Sequence, residues 1–505
     1  MYMKVCLVLQ NQYCKVAHSM ARYLKSAHGV DEFCAYIFSP GAKDFVLSQT
    51  EIRYDPILVD HELHARFGEE KIDVAWLNHF EKNYGPPYPW QYLYCDRKLM
   101  MSIGPKEETT AVIDTLYNHE SLIKIFQVRA RAIEKMLNEA KPDFILFFAI
   151  GTLGHLILYH VAKKLGRRVY NIDFPRVRNL VSISEDYNTL SLAEITFREF
   201  RKESADTHFH HEARALIERF RKTGSLDLQY LEIALDMLPG RLSTSPLNRI
   251  GKSLKYLNVL TKNYACHHDL YRYGQTDQNP LRFLAHKLKQ RYRLWRGYND
   301  LYDEIRPDKD NFVFYPLHYE PELAILLLSP FYFNQIELIR YIARSLPLDY
   351  KLYVKEHPAM YSKRARSYYQ ELKKIPNVVL VDTNIKSSEL VNRAKVVTTI
   401  TGTAGWEASL LGKPVITFGE VFYNALSFVK RVRNIETLPE VMRAQINDFR
   451  FDAKEMEHFV AATLKESMPF DFSALWFEND LEKLYQDKGL RNFCDRLMKM
   501  YHARV

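Results

Sequence analysis

Short apolar runs and amphipathic stretches alternate over the first part of this chain. Continuous apolar runs are typical of buried strands, and apolar positions three or four residues apart are typical of helices. Their repeated alternation predicts βαβ units and a parallel, doubly wound sheet. The predicted strands are 4–9, 32–38, 144–149 and 168–172, and the predicted helices are 15–25, 120–140 and a stretch that ends at Leu165.

A second series of the same kind follows later in the chain. Its predicted strands are 312–315, 351–355, 378–381, 396–400 and 415–418, and its predicted helices are 334–345, 361–374, 388–394 and 404–411. The α/β class is therefore expected, with two Rossmann-like domains that face a central cleft and extra helical regions. The expected divisions are 1–190 for the first domain with an insertion at about 44–118, 191–305 for a helical connection, 306–440 for the second domain, and 441–505 for helices that pack back on both domains.

Composition narrows the class of protein. Of the 505 residues, 47% are hydrophobic and 26% are charged, which is typical of soluble globular proteins. No apolar run is long enough for a transmembrane helix, and the first residues do not have the pattern of a signal peptide. The six cysteines form no CxxC pair, so neither a zinc site nor a disulfide framework is expected. These features predict a cytoplasmic protein with reduced thiols.

The positive charge is concentrated in one segment. The net charge is +9, and residues 249–296 contain eleven basic and two acidic residues with interleaved tyrosines and a tryptophan. This pattern is equally typical of a solvated helical face with buried aromatics and of a segment that binds an anionic surface. The partner predicted in the second case is an anionic membrane surface or a polyanionic glycan. Nucleic acid ranks last because no nucleic-acid-binding module is recognisable.

A strand, a glycine turn and a helix follow one another at 395–423. The strand 396–400 ends in Thr401-Gly402-Thr403, and the next helix is closed by Gly412 and Pro414. The N–H groups at a helix N-terminus favour phosphate, so these three turn residues are predicted to bind one. Glu407, inside the helix, is predicted to accept ribose hydroxyls. The alternatives are N-capping by Thr401 or Thr403 and a Glu407 that complements the helix dipole.

Four stretches of the sequence, taken together and in their order along the chain, resemble a known protein family. The stretches are FVFYPLHYEPE, SPFYFNQIELIRYIARSLP, KLYVKEHP and TTITGTAGWEASLLGKPVITFGEVFY. Together they resemble the capsule polysaccharide biosynthesis proteins, a group that includes cytoplasmic Kdo transferases. The resemblance covers roughly 143–183 and 311–423. It implies a GT-B-like fold and an enzyme that transfers a sugar from a nucleotide donor, often CMP-Kdo, to a growing surface glycan.

The donor side is expected at the carboxyl ends of the second set of strands, where open α/β folds bind ligands. His357 follows one strand and is the candidate that offsets charge on the leaving nucleotide. The structural alternative is that His357 merely caps its strand. The other residues predicted to contact the donor are Lys355, Glu356, Tyr315, His318, Glu320 and Gln335.

The first domain is expected to contribute the acceptor side and the catalytic base. The turn 151–155 and the stretch from Asp173 through Glu185 follow successive predicted strands, and Asp173, Glu185 or Asp186 is a candidate to deprotonate an acceptor hydroxyl. Arg176 and Arg178 suit a clamp for a carboxylate or phosphate, with His155 nearby in the other turn. For each of these residues a salt-bridged rim is the structural alternative.

The function predicted from these patterns is that of a metal-independent glycosyltransferase without a cofactor, which uses a nucleotide sugar as co-substrate. Its acceptor would be a polysaccharide or a lipid-linked glycan, and its location the cytoplasm or the inner face of the cell membrane. One alternative is a nucleotide-sugar 2-epimerase or hydrolase on the same fold. The other is a non-catalytic protein that binds glycan during assembly.

Overall fold

Two sheets form the framework of the protein, as the two series of predicted strands require. A computed structural model describes residues 2–10, 13–101, 115–203, 206–226, 280–471 and 478–503, with six single positions between 251 and 265. The strands are β1 (Lys4–Leu9), β2 (Glu32–Ile37), β3 (Tyr54–Val59), β4 (Phe144–Phe147), β5 (Arg168–Asp173), β6 (Leu180–Ser184), β7 (Asn311–Pro316), β8 (Tyr350–Lys355), β9 (Val378–Val381), β10 (Val396–Thr399), β11 (Val415–Thr417), β12 (Val429–Arg431) and β13 (Ser467–Pro469).

Helices connect the strands. In chain order they are α1 (Cys14–His28), α2 (Pro40–Leu47), α3 (Asp60–Ala65), α4 (Val74–Tyr84), α5 (Pro89–Cys95), α6 (Arg97–Met100), α7 (His119–Ala140), α8 (Leu153–Lys164), α9 (Ser191–Glu203), α10 (His208–Thr223), α11 (Pro280–Arg296), α12 (Leu323–Leu328), α13 (Gln335–Arg344), α14 (Arg366–Lys373), α15 (Ser387–Arg393), α16 (Thr403–Leu410), α17 (Leu438–Asn447), α18 (Ala453–Glu466), α19 (Leu481–Gln486) and α20 (Lys488–Ala503). None of the helices in the described part of the chain has the length and hydrophobicity of a transmembrane span.

The predicted α/β class with two Rossmann-like sheets is confirmed. The first sheet has the strand order β13-β6-β5-β4-β1-β2-β3, and the second has the order β12-β11-β10-β7-β8-β9. All strand pairs are parallel except β5 with β6 and β6 with β13. Strands that are covered on both faces are almost wholly apolar, which explains why their sequences predicted them well.

The segment predicted as an insertion at about 44–118 lies within the first domain. Its strand β3 pairs with β2 and forms the edge of the first sheet. Asp60, just after β3, is buried and receives two hydrogen bonds from the buried Arg129 guanidinium of α7, at 2.9 and 3.1 Å. A buried carboxylate paired in this way ties the segment to the sheet. Residues 102–114 of the segment lie outside the described part.

The end of the chain returns to the first domain. Strand β13 pairs with β6 in antiparallel orientation, and α20 buries Leu490, Phe493 and Leu497 in the core beneath β1. Helix α18 lies between the two domains, packed against α9 and α10. The C-terminal segment therefore contacts elements of both domains.

Candidate active site

The turn after β7 is held against the turn after β10 by a buried histidine. The Nε2 atom of His318 accepts the N–H of Thr401 at 3.3 Å and lies 3.2 Å from the Thr399 hydroxyl. Burial lowers the pKa of His318 to about 3, so the ring is neutral. Since Nε2 accepts, the proton resides on Nδ1, which has no partner among the described residues. The His318 ring thus holds the Thr401-Gly402-Thr403 turn through the backbone N–H of Thr401.

The glycine turn is already partly occupied by protein hydrogen bonds. The N–H of Gly402 donates to the Thr399 hydroxyl at 3.0 Å, so the N–H groups of Gly402 and Thr401 are both used. A Cβ at Gly402 would lie 2.6 Å from that hydroxyl oxygen, which explains the glycine. Gly402 itself is the N-cap residue, without side-chain capping, so the alternative that Thr401 or Thr403 caps the helix does not hold. The first-turn N–H groups of Thr403 and Ala404 have no acceptor within the helix.

Below the turn, a buried arginine binds two of the residues that were predicted to contact the donor. The Arg364 guanidinium donates to both carboxylate oxygens of Glu356 and to Glu320 at 3.0 Å. It also donates to the His318 carbonyl oxygen at 2.6 Å. Burial is the largest influence on the pKa of Glu320 and raises it, while Arg364 opposes that shift. Glu356 and Glu320 therefore hold Arg364 in place, and Arg364 in turn holds the backbone of His318.

Gln335 and Tyr315 belong to the same buried network. The Gln335 amide donates to Glu320 at 2.6 Å, and its oxygen accepts the His318 N–H at 2.7 Å and the Tyr315 hydroxyl at 3.2 Å. Both side chains are fully buried. Their polar atoms are engaged by protein partners, which favours a positioning role over direct contact with the donor.

His357 lies at the carboxyl edge of the second sheet, where its motif predicted it. Its Nδ1 accepts the N–H of Ala359 at 3.2 Å, and burial lowers its pKa. The neutral ring therefore carries its proton on Nε2, which can donate to a ligand. The side chain of Lys355, two residues earlier, is buried, and burial lowers its pKa as well.

Arg176 of the first domain reaches the turn that is predicted to bind phosphate. Its Nη1 donates to the carbonyl oxygen of Thr401 at 3.4 Å, and its own carbonyl oxygen accepts the Trp406 indole N–H at 3.2 Å. Trp406 is fully buried and packs in the core. Burial raises the pKa of the nearby Glu407 to about 7, and Arg176 partly opposes this shift.

A cavity of about 520 Å³ lies between the carboxyl ends of strands β4 and β5 in the first sheet and helix α12. Asp173, Arg176, Arg178 and Glu322 contribute charged groups to it. Arg176 and Arg178 both have positive φ angles, 56° and 50°, a conformation that is uncommon for non-glycine residues. The apolar part of the wall is formed by Tyr13, Phe148, Ile150, Ile172, Phe174, Leu180, Val181, Leu327, Leu328 and Phe470.

The two candidate bases differ in their surroundings. Asp173 lines the cavity, and burial raises its pKa to about 6 although the N–H of Phe174 donates to it at 2.7 Å. Glu185 does not line the cavity, and its carbonyl oxygen accepts the Tyr159 hydroxyl at 3.2 Å. The Asp186 side chain is paired with Lys163 and with Tyr159. This geometry favours Asp173 over Glu185 and Asp186 as the candidate base.

His155 is placed differently from the predicted clamp. It is buried in α8, where Gln10 lies within 3.4 Å of its ring nitrogens. Burial lowers its pKa to about 4, so it carries no charge with which to bind an anion. At the N-terminus of α8 the Leu153 N–H is already engaged, because the buried Asp96 accepts it at 2.8 Å. The predicted clamp is thereby reduced to Arg176 and Arg178, of which Arg178 is exposed and paired with Glu212.

Sequence reasoning missed Arg364, Asp96 and the proximity of Glu322 to Arg176. Glu322 is half-buried, burial raises its pKa, and Arg176 opposes that shift. The only local signal for Arg364 was its place in a basic loop, which is typical of solvent-exposed residues. Within the described ranges, no group of three or more His, Cys, Asp or Glu residues has the arrangement of a metal site.

Comparison with known proteins gives a family match over part of the chain. Residues 255–467 match the family described as "Capsule polysaccharide biosynthesis protein". Protein FixF of Sinorhizobium fredii is 35% identical over 123 residues, which are 24% of this chain and 29% of FixF. The chain thus matches less than a third of the length of that curated relative.

Solved structures show only distant likeness. The β-Kdo 2,7 transferase of KpsC from Thermosulfurimonas dismutans has a TM-score of 0.32 and 14% identity, over 66% of this chain and 89% of its own. The UDP-GlcNAc 2-epimerase from Neisseria meningitidis has a TM-score of 0.26 and 13% identity, over 92% and 99%. At these scores neither likeness bears on the function. The family match includes the motifs of the second domain, and the segment 255–467 of this chain belongs to the capsule polysaccharide biosynthesis protein family.

Proposed function

We propose that the protein is a glycosyltransferase that moves a sugar from a nucleotide-activated donor to a growing capsule or other surface polysaccharide or glycolipid. One observation carries the proposal: Arg176 of the first domain contacts the Thr401 turn of the second and also lines the cavity that contains Asp173. A transfer reaction needs a donor and an acceptor hydroxyl side by side. These contacts bring a candidate phosphate-binding turn and a candidate base to the two sides of one guanidinium group.

The donor would bind at the second domain. The free first-turn N–H groups of Thr403 and Ala404 suit a phosphate, and the Nε2 proton of His357 suits the same group. CMP-Kdo is the lead candidate because the family includes Kdo transferases, and the carboxylate of Kdo suits the Arg176 guanidinium. Glu407 would accept hydroxyls of the nucleotide ribose.

The acceptor would enter the cavity of the first domain. In this scheme Asp173 takes the proton from the acceptor hydroxyl, whose oxygen then attacks the anomeric carbon as the bond to the nucleotide phosphate breaks. The negative charge that develops on the leaving phosphate is stabilised by the N-terminus of α16 and by His357. With these groups in place, the reaction would proceed without a metal ion or other cofactor.

The test is transfer from CMP-Kdo, UDP-sugars and GDP-sugars to capsule fragments and lipid-linked glycans, with product analysis by mass spectrometry. Transfer that is lost in His357→Ala and kept in His502→Ala, a control at an exposed histidine on α20, would support the proposal. Conversion of the donor sugar without any acceptor would indicate an epimerase or hydrolase. Glycan binding without consumption of any donor would indicate an assembly protein. Either result would overturn the proposal.

A further inference from the structure

Helix α11 exposes its apolar side and packs its polar side against the protein. Leu288, Tyr292 and Trp295 follow one another at helical spacing and are 68, 60 and 80% exposed. Leu281 and Leu284 extend this stripe toward the start of the helix and are also exposed. A surface helix of a globular domain normally shows the reverse arrangement, with the apolar stripe facing the core.

The opposite side of α11 is the side that the protein covers. His286 is buried, and Gln290 and Arg293 are half-buried at the same helical spacing. Arg293 donates to the Lys363 carbonyl oxygen. The exposed stripe therefore does not result from a loosely placed helix, because polar contacts fix which side faces outward.

Basic residues border the exposed stripe on both sides. Over 280–296 the sequence has six Lys or Arg residues and no acidic residue. At 100° per residue, Lys287 and Arg291 fall on one side of the stripe and Lys289 and Arg296 on the other. Arg296 pairs with Asp300 just after the helix, whereas Lys287 and Arg291 are exposed. An apolar stripe with Trp and Tyr between basic borders is the pattern of helices that lie in a membrane interface.

The end of α11 is attached to the candidate donor site. The Gly297 carbonyl oxygen accepts the Arg366 guanidinium at 2.6 Å, and the Tyr298 hydroxyl donates to the Arg364 carbonyl oxygen at 3.1 Å. The Lys363 ammonium donates to the Tyr319 hydroxyl at 3.2 Å, and the Tyr319 ring lies 6.1 Å from the His357 ring. The orientation of the stripe is therefore fixed relative to His357.

We propose that α11 binds an anionic phospholipid surface, with Leu288, Tyr292 and Trp295 inserted at the level of the headgroups. Charge complementarity favours anionic lipid as the partner of this surface. A stripe with basic borders and no acidic residue suits anionic lipid better than a second copy of the same basic helix. The inference extends the proposed function, because a bound membrane would hold the donor site next to lipid-linked acceptors. It stands on α11 alone and does not require that transfer occurs.

The test is flotation of the full chain with phosphatidylcholine vesicles that contain or lack phosphatidylglycerol, at low and high salt. We expect binding only with the anionic lipid, weakened by salt, and a blue shift of tryptophan emission that Trp295→Phe abolishes. Lys287→Glu with Arg291→Glu, and separately Leu288→Ser with Trp295→Ser, should each weaken binding about tenfold or more. The matched control is Leu348→Ser, an exposed leucine before β8.

Three outcomes would overturn the inference. The first is absence of binding to anionic vesicles, and the second is equal loss of binding in Leu348→Ser. The third is self-association in the absence of lipid that Leu288→Ser with Trp295→Ser abolishes, since a second copy would then cover the stripe. Thermal stabilisation by CMP, measured on the same variants, tests the proposed function separately from membrane binding. The α11 variants should keep nucleotide binding even where they lose vesicle binding.

Discussion

Arg176 donates a hydrogen bond to the carbonyl oxygen of Thr401 at 3.4 Å, across the boundary between the two domains. It does so from a left-handed backbone conformation, with φ of 56°. Such a conformation costs an arginine of order 1 kcal/mol or more and persists where other contacts hold it in place. The contact from Trp406 to the Arg176 carbonyl oxygen at 3.2 Å is one of these.

Replacing Arg176 by methionine should weaken donor binding by about 10- to 100-fold, since a charge-assisted contact to an anion is lost. Arg176 also opposes the upward shift in the pKa of Asp173, so the acidic limb of the pH–rate profile should move to higher pH. Titration calorimetry with the donor and the pH dependence of kcat/KM measure the two effects. Arg198→Met is the matched control, because Arg198 is an exposed arginine of α9 that pairs with Glu194 and does not line the cavity. Equal effects in both variants would contradict the role given to Arg176.

Asp173→Asn should lower kcat by about 10²- to 10⁴-fold, because that is the usual contribution of a general base to the rate. Donor affinity should change little. In the wild type, kcat/KM should rise with pH through about 6, because Asp173 accepts a proton only when it is ionised. The comparison is Glu185→Gln, which alters the other candidate base outside the cavity. A larger loss of kcat in Glu185→Gln than in Asp173→Asn would reverse the assignment.

His318→Ala should destabilise the protein by about 1–3 kcal/mol, because the buried N–H of Thr401 loses its acceptor. It should also weaken donor binding, since the turn is no longer held. Urea unfolding and nucleotide titration of the same variant give the two values. His318→Asn, whose amide oxygen can accept that N–H, should recover part of both losses. No recovery would mean that the imidazole ring acts on the ligand directly.

Arg364→Met should destabilise the protein by about 3–5 kcal/mol, because it leaves two buried carboxylates without a cation. Adding Glu356→Gln to Arg364→Met should restore part of this loss, since one of the uncompensated charges is removed. Urea unfolding of the single and double variants forms a mutant cycle that measures the coupling. Additive losses in the cycle would show that the pair does not act as a unit.

Glu407 should make stability fall as pH rises. Its pKa is raised to about 7 in the folded protein from its ordinary value of 4.5, so between these two values the folded state binds more protons than the unfolded state. The stability that this group contributes is complete below about 4.5 and is lost through about 7. Glu407→Gln should therefore be more stable than the wild type by about 1–2 kcal/mol at pH 8, with no such gain at pH 4. A gain of equal size at both pH values would point to a cause other than titration.

The local pattern was sufficient for the parallel strands other than β3 and β12, and for the strand–turn–helix unit around Thr401. Each of these elements is specified by apolar residues that are adjacent in sequence or one helical turn apart, so a short window contains the whole signal. Strand β13 gave no such signal, because it has three residues and pairs with β6. Strand β3 was missed for another reason: Asp55 and Pro56 interrupt its apolar run, and its residues fall in the segment that was predicted as an insertion.

The sequence by itself determined the α/β class, the position of the glycine turn and the resemblance of 143–183 and 311–423 to the capsule polysaccharide biosynthesis proteins. Only the tertiary structure decided which polar residues face the cleft and which support it. Glu356 and His357 are adjacent in sequence, yet Glu356 is buried against Arg364 while His357 keeps a ring proton for a ligand. The reason is that burial and charge pairing depend on residues brought together through space, whereas strands and turns depend on residues close together in the chain.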